Sequence, residues 1–270
     1  MKGKRADVLL FERGLAKSRE KARALIMEGV VFCDGVRVEK SGDMLKDDCV
    51  LTVKEDVIPY VSRGGLKLKK ALDSFPISIS GKVAADFGAS TGGFTDVMLK
   101  HGARKVYAVD VGYGQLDWTL RNDERVVVME RTNARNMQAD WFKEPVEFAT
   151  MDLSFISVKL ILEPLYPILC DGGEAVVLVK PQFEAGKEKV GKNGVVRSKE
   201  VHAEVFTEVA DFCFDMGFNI VGIGYSPITG PKGNIEFLLA LRKEAQTITQ
   251  EEIRSSIIKA VGDAHAEHDK

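Results

Sequence analysis

The stretch Val83-Ala84-Ala85-Asp86-Phe87-Gly88-Ala89-Ser90-Thr91-Gly92-Gly93, followed by a helix pattern and then Val106-Tyr107-Ala108-Val109-Asp110, decides the fold of this chain. An apolar run that turns through glycines directly into a helix N-terminus lets backbone N–H groups approach a ligand closely. Two familiar glycine loops can be tested against these letters. A dinucleotide fingerprint needs glycine at its first, third and sixth positions, and Ser90 occupies the third. A P-loop needs a lysine after its last glycine, and Phe94 stands there. What remains is a Gly-x-x-x-Gly loop with an acid, Asp110, ending the next strand. A carboxylate offers acceptors only and so suits the two hydroxyls of a ribose. A tight turn that binds nothing is the plain alternative.

Outward from this loop the pattern alternates strand and helix. Strands are expected at Val83 to Phe87, Val106 to Asp110, Val126 to Glu130, Phe148 to Asp152 and Ala175 to Lys180. Such alternation implies a parallel sheet with helices on both faces. Two further runs, Asn219 to Ser226 and Ile235 to Arg242, flank a Pro/Gly turn region and should form a hairpin. The glycine loop and strand-end acid together resemble the S-adenosylmethionine site of Rossmann-like methyltransferases. That resemblance implies an α/β fold, a seven-stranded sheet with one antiparallel strand. It also implies a cofactor cradle in which Gly88, Ala89, Ser90, Thr91, Gly92 and Gly93 face the methionine portion and Asp110 the ribose.

The composition, with 45% hydrophobic and 29% charged residues among 270, is that of an ordinary globular protein. A net charge of −2 carries no global nucleic-acid signature, but residues 1–23 hold eight Lys or Arg against three acids, a local excess of +5. Arg5, Lys17, Arg19, Lys21 and Arg23 are the candidate RNA-binding residues among them, and a solvated face is the bland alternative. Apolar residues recur at helical spacing from Ala6 to Gly14 and from Ser18 to Gly29, with Ser18 as N-cap and Gly29 as stop. Short β-type runs follow at Val30 to Cys33, Val36 to Val38 and Cys49 to Val53, around the turn Asp34-Gly35. The segment Gly14-Leu15-Ala16-x-Ser18-Arg19-x-x-Ala22-x-x-Leu25-Ile26-x-x-Gly29-x-Val31-x-x-Asp34-Gly35 resembles the small S4-like RNA-binding domain of a ribosomal protein, pseudouridine synthases and tyrosyl-tRNA synthetases. It implies that the helix carrying Arg19 and Arg23 lies against an RNA backbone.

Residues 54–62 lose periodicity and contain Pro59. The expected organisation is an α+β RNA-binding domain over 1–58, a linker over 59–63, a methyltransferase domain over 64–246, and a C-terminal helix and tail over 247–270. The four cysteines are scattered without ligand spacing, as buried thiols in a reducing compartment are, and no metal site is expected, the histidines of the tail included. No apolar signal core or run of membrane-spanning length is present, so the expectation is a cytoplasmic protein without a membrane partner.

Ligands of open α/β sheets bind beyond the carboxyl ends of the strands. Asp86, Asp110, Asp152 and Lys180 each terminate an apolar run there, Glu236 opens the last strand, and Lys67 lies on a helix opened by Ser62-Arg63-Gly64-Gly65. In order and setting, Lys67, Asp152, Lys180 and Glu236 resemble the catalytic tetrad of FtsJ-like ribose 2′-O-methyltransferases. The runs from Asp86 to Thr95, Val109 to Leu116, Arg131 to Arg135, Asp152 to Ser157 and Val179 to Glu184, together with the N-terminal segment, resemble the TlyA family of ribosomal RNA methyltransferases, also named hemolysins. The family resemblance implies S-adenosylmethionine as cofactor and ribosomal RNA or ribosomal subunits as partner, with cytidine ribose as acceptor. It adds Asp86, Asn133, Asp152 and Phe155 to the cofactor residues, Asn133 at the adenine edge. One departure is visible: where some members carry Arg-Ala-Trp-Val, this chain has Ile58-Pro59-Tyr60-Val61.

The chemistry requires these residue types. A ribose hydroxyl is a poor nucleophile until a base accepts its proton. Lys180 is the expected base, with Lys67 as a companion cation and Asp152 and Glu236 orienting both lysines. The glycine- and lysine-rich segment 184–197 either closes over RNA phosphates or is a mobile solvated loop. Two other classes compete with the enzyme: a non-catalytic RNA-binding ribosome-assembly factor, against which two lysines and two acids beside a cofactor argue, and a membrane-acting cytolysin, against which the missing membrane segments argue. These motifs do not encode the oligomeric state.

Overall fold

A computed structural model of the chain describes residues 3–27, 29–53 and 58–268. Lys2 and the linker positions 54–57 lie outside the described residues. The chain forms two compact units, Met1–Arg63 and Gly64–Lys270.

In the first unit β1 (Lys4–Arg5) leads into α1 (Ala6–Glu12) and α2 (Arg19–Met27), and the strands β2 (Val31–Cys33), β3 (Val36–Arg37), β4 (Met44–Leu45) and β5 (Leu51–Val53) follow. Ser18 caps α2 by accepting the Lys21 N–H at 3.1 Å, and Gly29, at φ +72°, stops it. Asp34 and Gly35 both take positive φ, the geometry of a two-residue hairpin turn, and join β2 to β3. β5 flanks β2 on the other side, which completes a three-stranded antiparallel sheet. Leu9, Leu10, Leu25, Ile26, Val31 and Leu51 are among the residues of its core. The β1–β4 pair had no signal in the sequence, because two-residue strands are too short to show a period.

The second unit is a seven-stranded sheet flanked by helices. Its elements are α3 (Gly65–Ser74), β6 (Val83–Phe87), α4 (Gly93–Lys100), β7 (Lys105–Val109), α5 (Trp118–Arg121), β8 (Val126–Met129), β9 (Val146–Met151), α6 (Lys159–Leu165), β10 (Leu169–Val179), α7 (Pro181–Glu184), α8 (Lys199–Asp215), β11 (Asn219–Tyr225), β12 (Phe237–Arg242) and α9 (Gln250–His268). The strand order is β11-β12-β10-β9-β6-β7-β8, with β12 antiparallel to both neighbours and the five strands from β10 to β8 parallel. All five residues of β6 are buried, as a parallel strand covered on both faces requires. β6 runs on to β7 on one side and pairs with β9 on the other, so the sheet's switch point lies between β6 and β9.

The C-terminal segment differs from expectation. The residues from Ala264 read as a solvated tail, but α9 runs to His268 and buries Ile253, Ile257, Ala260, Val261 and Ala264 in the main core. His265 is buried, and its Nε2 lies 2.9 Å from His202 Nδ1 on α8. The apolar spacing of 4, 3, 1 and 3 residues is helical, and the many charges between hid it. Among the described residues, no helix is long and apolar enough to cross a membrane, and no group of three or more His, Cys, Asp or Glu is gathered to hold a metal.

Candidate active site

Sheet register brings the polar strand ends together. Phe87 pairs with Met151, Met151 with Val177, and Val179 with Phe237, so Asp152 and Lys180 follow the ends of parallel strands β9 and β10. Glu236 precedes β12, which runs the opposite way, so the start of that strand lies beside the end of β10. α3 supplies Lys67 from its first turn, where Leu68 and Ala71 bury the same side of the helix.

Lys67 Nζ lies 2.6 Å from Glu236 Oε2 and 3.6 Å from Asp152 Oδ2, while Lys180 Nζ lies 2.5 Å from the other oxygen, Asp152 Oδ1. The result is a chain of alternating charge: Glu236, Lys67, Asp152, Lys180. Both lysines are only 7% exposed. Asp152 therefore stands between the two ammonium groups, whereas the sequence reading had Lys67 act on Lys180 directly as a companion cation. Burial works against the Lys67 charge, but the Asp152 and Glu236 carboxylates outweigh it and raise its pKa. Burial likewise opposes the Asp152 charge, and Lys180 and Lys67 overcome it and lower that carboxyl to about 2. Lys180 touches one carboxylate and one neutral group, the Ser154 hydroxyl, to which its Nζ donates at 3.3 Å.

The glycine loop abuts this chain. Gly88 has φ +82°, and a Cβ there would come within 2.6 Å of the Asp152 carbonyl oxygen, so the bare backbone lets the two strand ends touch. Gly92, at φ +94°, is different: a Cβ would meet Leu120 and Leu116, so the residue serves the loop's own packing. Asp110 Oδ2 accepts the Ser90 N–H at 2.8 Å and Oδ1 accepts the Gly112 N–H at 2.7 Å, which holds the loop to the end of β7. Ser90 takes a positive φ of 49°. Asn133 is exposed and accepts the Arg135 N–H. Phe155 is 86% exposed at φ +68°, a conformation rare for a bulky residue, with its ring 5.2 Å from that of Phe183. A glycine loop that runs into a helix start, beside an acceptor-only carboxylate at the end of the adjacent strand, fits a nucleoside-linked amino acid.

Asp86 sits beneath the loop. Its oxygens accept the hydroxyls of Thr95 at 2.7 Å and Thr150 at 2.8 Å, tying α4 to β9. Burial raises its pKa to about 6, the two threonines oppose the rise, and the charge of Asp152 adds to it. An acid whose folded pKa exceeds its unfolded value of about 3.9 stabilises the fold fully below about pH 4 and loses that contribution as pH rises through about 6. The parent should accordingly lose stability relative to Asp86→Asn between about pH 5 and pH 8, by roughly 1 to 2 kcal/mol, the remainder of the contribution being lost already between about pH 3 and pH 5. Urea titrations at both pH values measure the difference, and a difference that stays constant with pH would contradict the buried-acid reading.

Several supporting residues escaped the sequence reading. Glu184 accepts the Ser157 hydroxyl at 2.6 Å and the Val158 N–H at 2.8 Å, bracing the segment that carries Asp152, Ser154 and Phe155. It stood in the run Val179 to Glu184, which could have pointed to it. Thr95 and Ser154 likewise stood in the runs Asp86 to Thr95 and Asp152 to Ser157, and Thr150 carried no signal. The segment 184–197 is tethered: Asn234 Oδ1 accepts the Val196 N–H at 3.0 Å, its Nδ2 donates to Gly194 O at 2.9 Å, and Val195 and Val196 are buried.

In the first unit Arg13 donates to the carbonyls of Asp47 and Cys49, and Lys4 pairs with Glu12, so these cations hold the domain itself together. Arg5, Arg19 and Arg23 converge on Asp7. Lys21 Nζ reaches Val61 O at 3.4 Å, and Lys17 is exposed.

Known proteins resemble the chain in sequence and fold. FtsJ-like methyltransferases match residues 60–243, and the S4 domain matches residues 4–48. The chain is 52% identical to YqxC of Bacillus subtilis over 98% of its own length and 95% of the relative's. It is 42% identical to the Mycobacterium tuberculosis protein named 16S/23S rRNA (cytidine-2′-O)-methyltransferase TlyA, over 96% of this chain and 97% of that one. A hemolysin-named structure from Streptococcus thermophilus superposes with a TM-score of 0.78 at 47% identity, covering 100% of this chain and 98% of the other. With the methyltransferase sheet, the S4 domain ahead of it and relatives matched from end to end, the chain belongs to the FtsJ-like methyltransferases, in their TlyA family.

Proposed function

We propose that the chain is an S-adenosylmethionine-dependent methyltransferase that modifies the 2′-hydroxyl of a ribose in ribosomal RNA, cytidine being the acceptor nucleoside. The observation that carries this reading is the buried chain Glu236–Lys67–Asp152–Lys180, braced through Gly88 against the glycine loop. The name of the Mycobacterium tuberculosis relative supports the ribosomal RNA and the cytidine, and the S4 domain supports RNA docking by the first unit.

S-adenosylmethionine supplies an electrophilic methyl group on a sulfonium. The chain's own groups do the rest. The glycine loop and the start of α4 bring bare backbone close to the methionine portion, with the helix start toward its carboxylate, Asp110 offers acceptors to the ribose, and Asn133 borders the adenine. Phe155 holds an exposed ring at the same rim, where it can cover an aromatic base. An ammonium bracketed by two carboxylates keeps its proton, so Lys67 is the electrostatic member of the pair and Lys180 the base. Lys180 Nζ takes the 2′-hydroxyl proton while Asp152 and Ser154 hold the amine in place. Burial of the tetrad excludes water from this transfer.

Two measurements test the reading. Calorimetry should show the parent binding S-adenosylmethionine and its demethylated product, and Asp110→Ala binding about tenfold or more weakly because ribose acceptors and a loop anchor are both lost. Equal affinity in a folded variant removes Asp110 from the site. Labelled methyl groups transferred to ribosomal RNA should be recovered, after nuclease digestion, in 2′-O-methylcytidine. Recovery in a base-methylated nucleoside overturns the proposed acceptor.

A further inference from the structure

Asp7 is 0% exposed, yet its one carboxylate takes hydrogen bonds from three guanidinium groups. Arg5 donates through Nε to Oδ1 at 3.0 Å and through Nη2 to Oδ2 at 3.2 Å, Arg19 through Nη2 to Oδ2 at 3.1 Å, and Arg23 through Nε to Oδ2 at 3.0 Å. The arginines come from β1 and from one face of α2, so the carboxylate joins separate segments. Burial alone would push its pKa up. The hydrogen bonds from Arg5, Arg23 and Arg19 outweigh that and hold it well below the usual carboxylate range, so it remains charged at neutral pH.

A purely structural role would need less. Arg5 alone meets both oxygens side-on and neutralises the charge. Two further guanidinium groups on one carboxylate crowd like charges together, with Glu20 of α2 acting on Arg19 and Arg23 from beside them, and an anion shared by all three would relieve that repulsion. Each arginine side chain is still 44% to 47% exposed, and Arg23 spends only Nε and Arg19 only one Nη on Asp7. Planar forks held at their inner edges and open at their outer edges match the bidentate recognition of phosphate.

We propose that Asp7 is a positioning residue that fixes Arg5, Arg19 and Arg23 as a clamp for the phosphodiester backbone of RNA. The inference rests on the reading that the first unit docks RNA. It turns a general attraction of basic residues into a geometric requirement on an acid.

The test sets charge against geometry, because Asp7→Asn makes the domain more positive by one charge while removing the acceptor that orders the arginines. Binding of a fluorescein-labelled ribosomal RNA transcript to the full-length protein is measured by anisotropy across a potassium chloride series. Positioning predicts that Asp7→Asn binds roughly tenfold more weakly at fixed salt, and that the slope of log affinity against log salt falls by about 2 as phosphate contacts are lost. Binding as tight as the parent's, or tighter, with an unchanged slope overturns it. Amide exchange over α1 and α2 reports whether Asp7→Asn keeps its fold. If it does not, the double variant Arg19→Lys with Arg23→Lys decides, since both positions are exposed and both charges are kept: weakened binding supports the clamp and parental binding overturns it. Arg19→Gln with Arg23→Gln separates the two levels of the argument. If that variant binds as the parent does, the RNA-docking reading itself fails; if it weakens while Asp7→Asn does not, the positioning role alone fails.

Discussion

Lys180→Ala is expected to abolish methyl transfer, a loss of roughly a thousandfold or more, while cofactor affinity stays near the parent's. The amine acts on the acceptor hydroxyl, so its removal subtracts from the transition state and little from ground-state cofactor binding. Lys180→Arg separates charge from proton transfer. Arginine would still meet Asp152 but cannot lose its proton, so a purely electrostatic residue tolerates the change and a base does not. Single-turnover rates on the same RNA should rise with pH for the parent and stay near background for the arginine variant. A rate above about a tenth of the parent's, a barrier change below about 1.4 kcal/mol, would remove Lys180 from the role of base.

Asp152→Asn should damage stability and catalysis together. Asp152 is the carboxylate between two buried lysines, and its loss leaves Lys180 without its acid and Lys67 with Glu236 alone. Removing one partner of a buried ion pair costs about 3 kcal/mol or more, because an uncompensated charge stays behind. The pH dependence carries a definite sign. With its folded pKa lowered to about 2, Asp152 contributes stability that is complete above its unfolded value near 4 and is lost as pH falls through about 2. The gap in unfolding free energy between parent and Asp152→Asn should therefore be constant near neutrality and start to close below about pH 4. Urea titration of both proteins over that range, with methyl transfer assayed in parallel, checks the two effects. A gap that is flat down to about pH 2 would place the stabilising charge elsewhere.

The sheet was legible because parallel strands buried on both faces read as unbroken apolar runs, and the polar residue ending each run marks the solvent-facing rim. Val83–Phe87 is such a strand to the residue. The partners of Glu236 could be paired with it only once the last two strands were read as a hairpin, which turns the start of β12 toward the ends of the others. Contacts that depend on tertiary convergence were not legible. Asp7 entered the reading as one acid set against eight cations, because its partners Arg19 and Arg23 lie 12 and 16 residues away and neither spacing suggests a shared carboxylate. Arg13 counted among those cations although it bonds the domain's own backbone. Thr95 and Ser154 lay within motif runs, but nothing in the runs says which partner their hydroxyls meet, and Thr150, an ordinary strand threonine, had no signature. His265 was lost to the tail because local charge hid an apolar stripe that becomes visible only against α8.

The antiparallel β12 also has a consequence for biosynthesis. It lies between β10 and β11, and the Lys67–Glu236 contact closes over 169 residues of chain. During synthesis the nascent polypeptide holds the glycine loop, Asp152 and Lys180 well before Glu236 leaves the ribosome. Until β12 slots into the centre of that half of the sheet, Lys67 lacks its nearest acid and β10 has an open edge. Long-range closures of this kind come late in folding. On the proposed role of the tetrad, competence to transfer a methyl group should coincide with completion of the sheet, and a chain that ends before β12 should show no transfer.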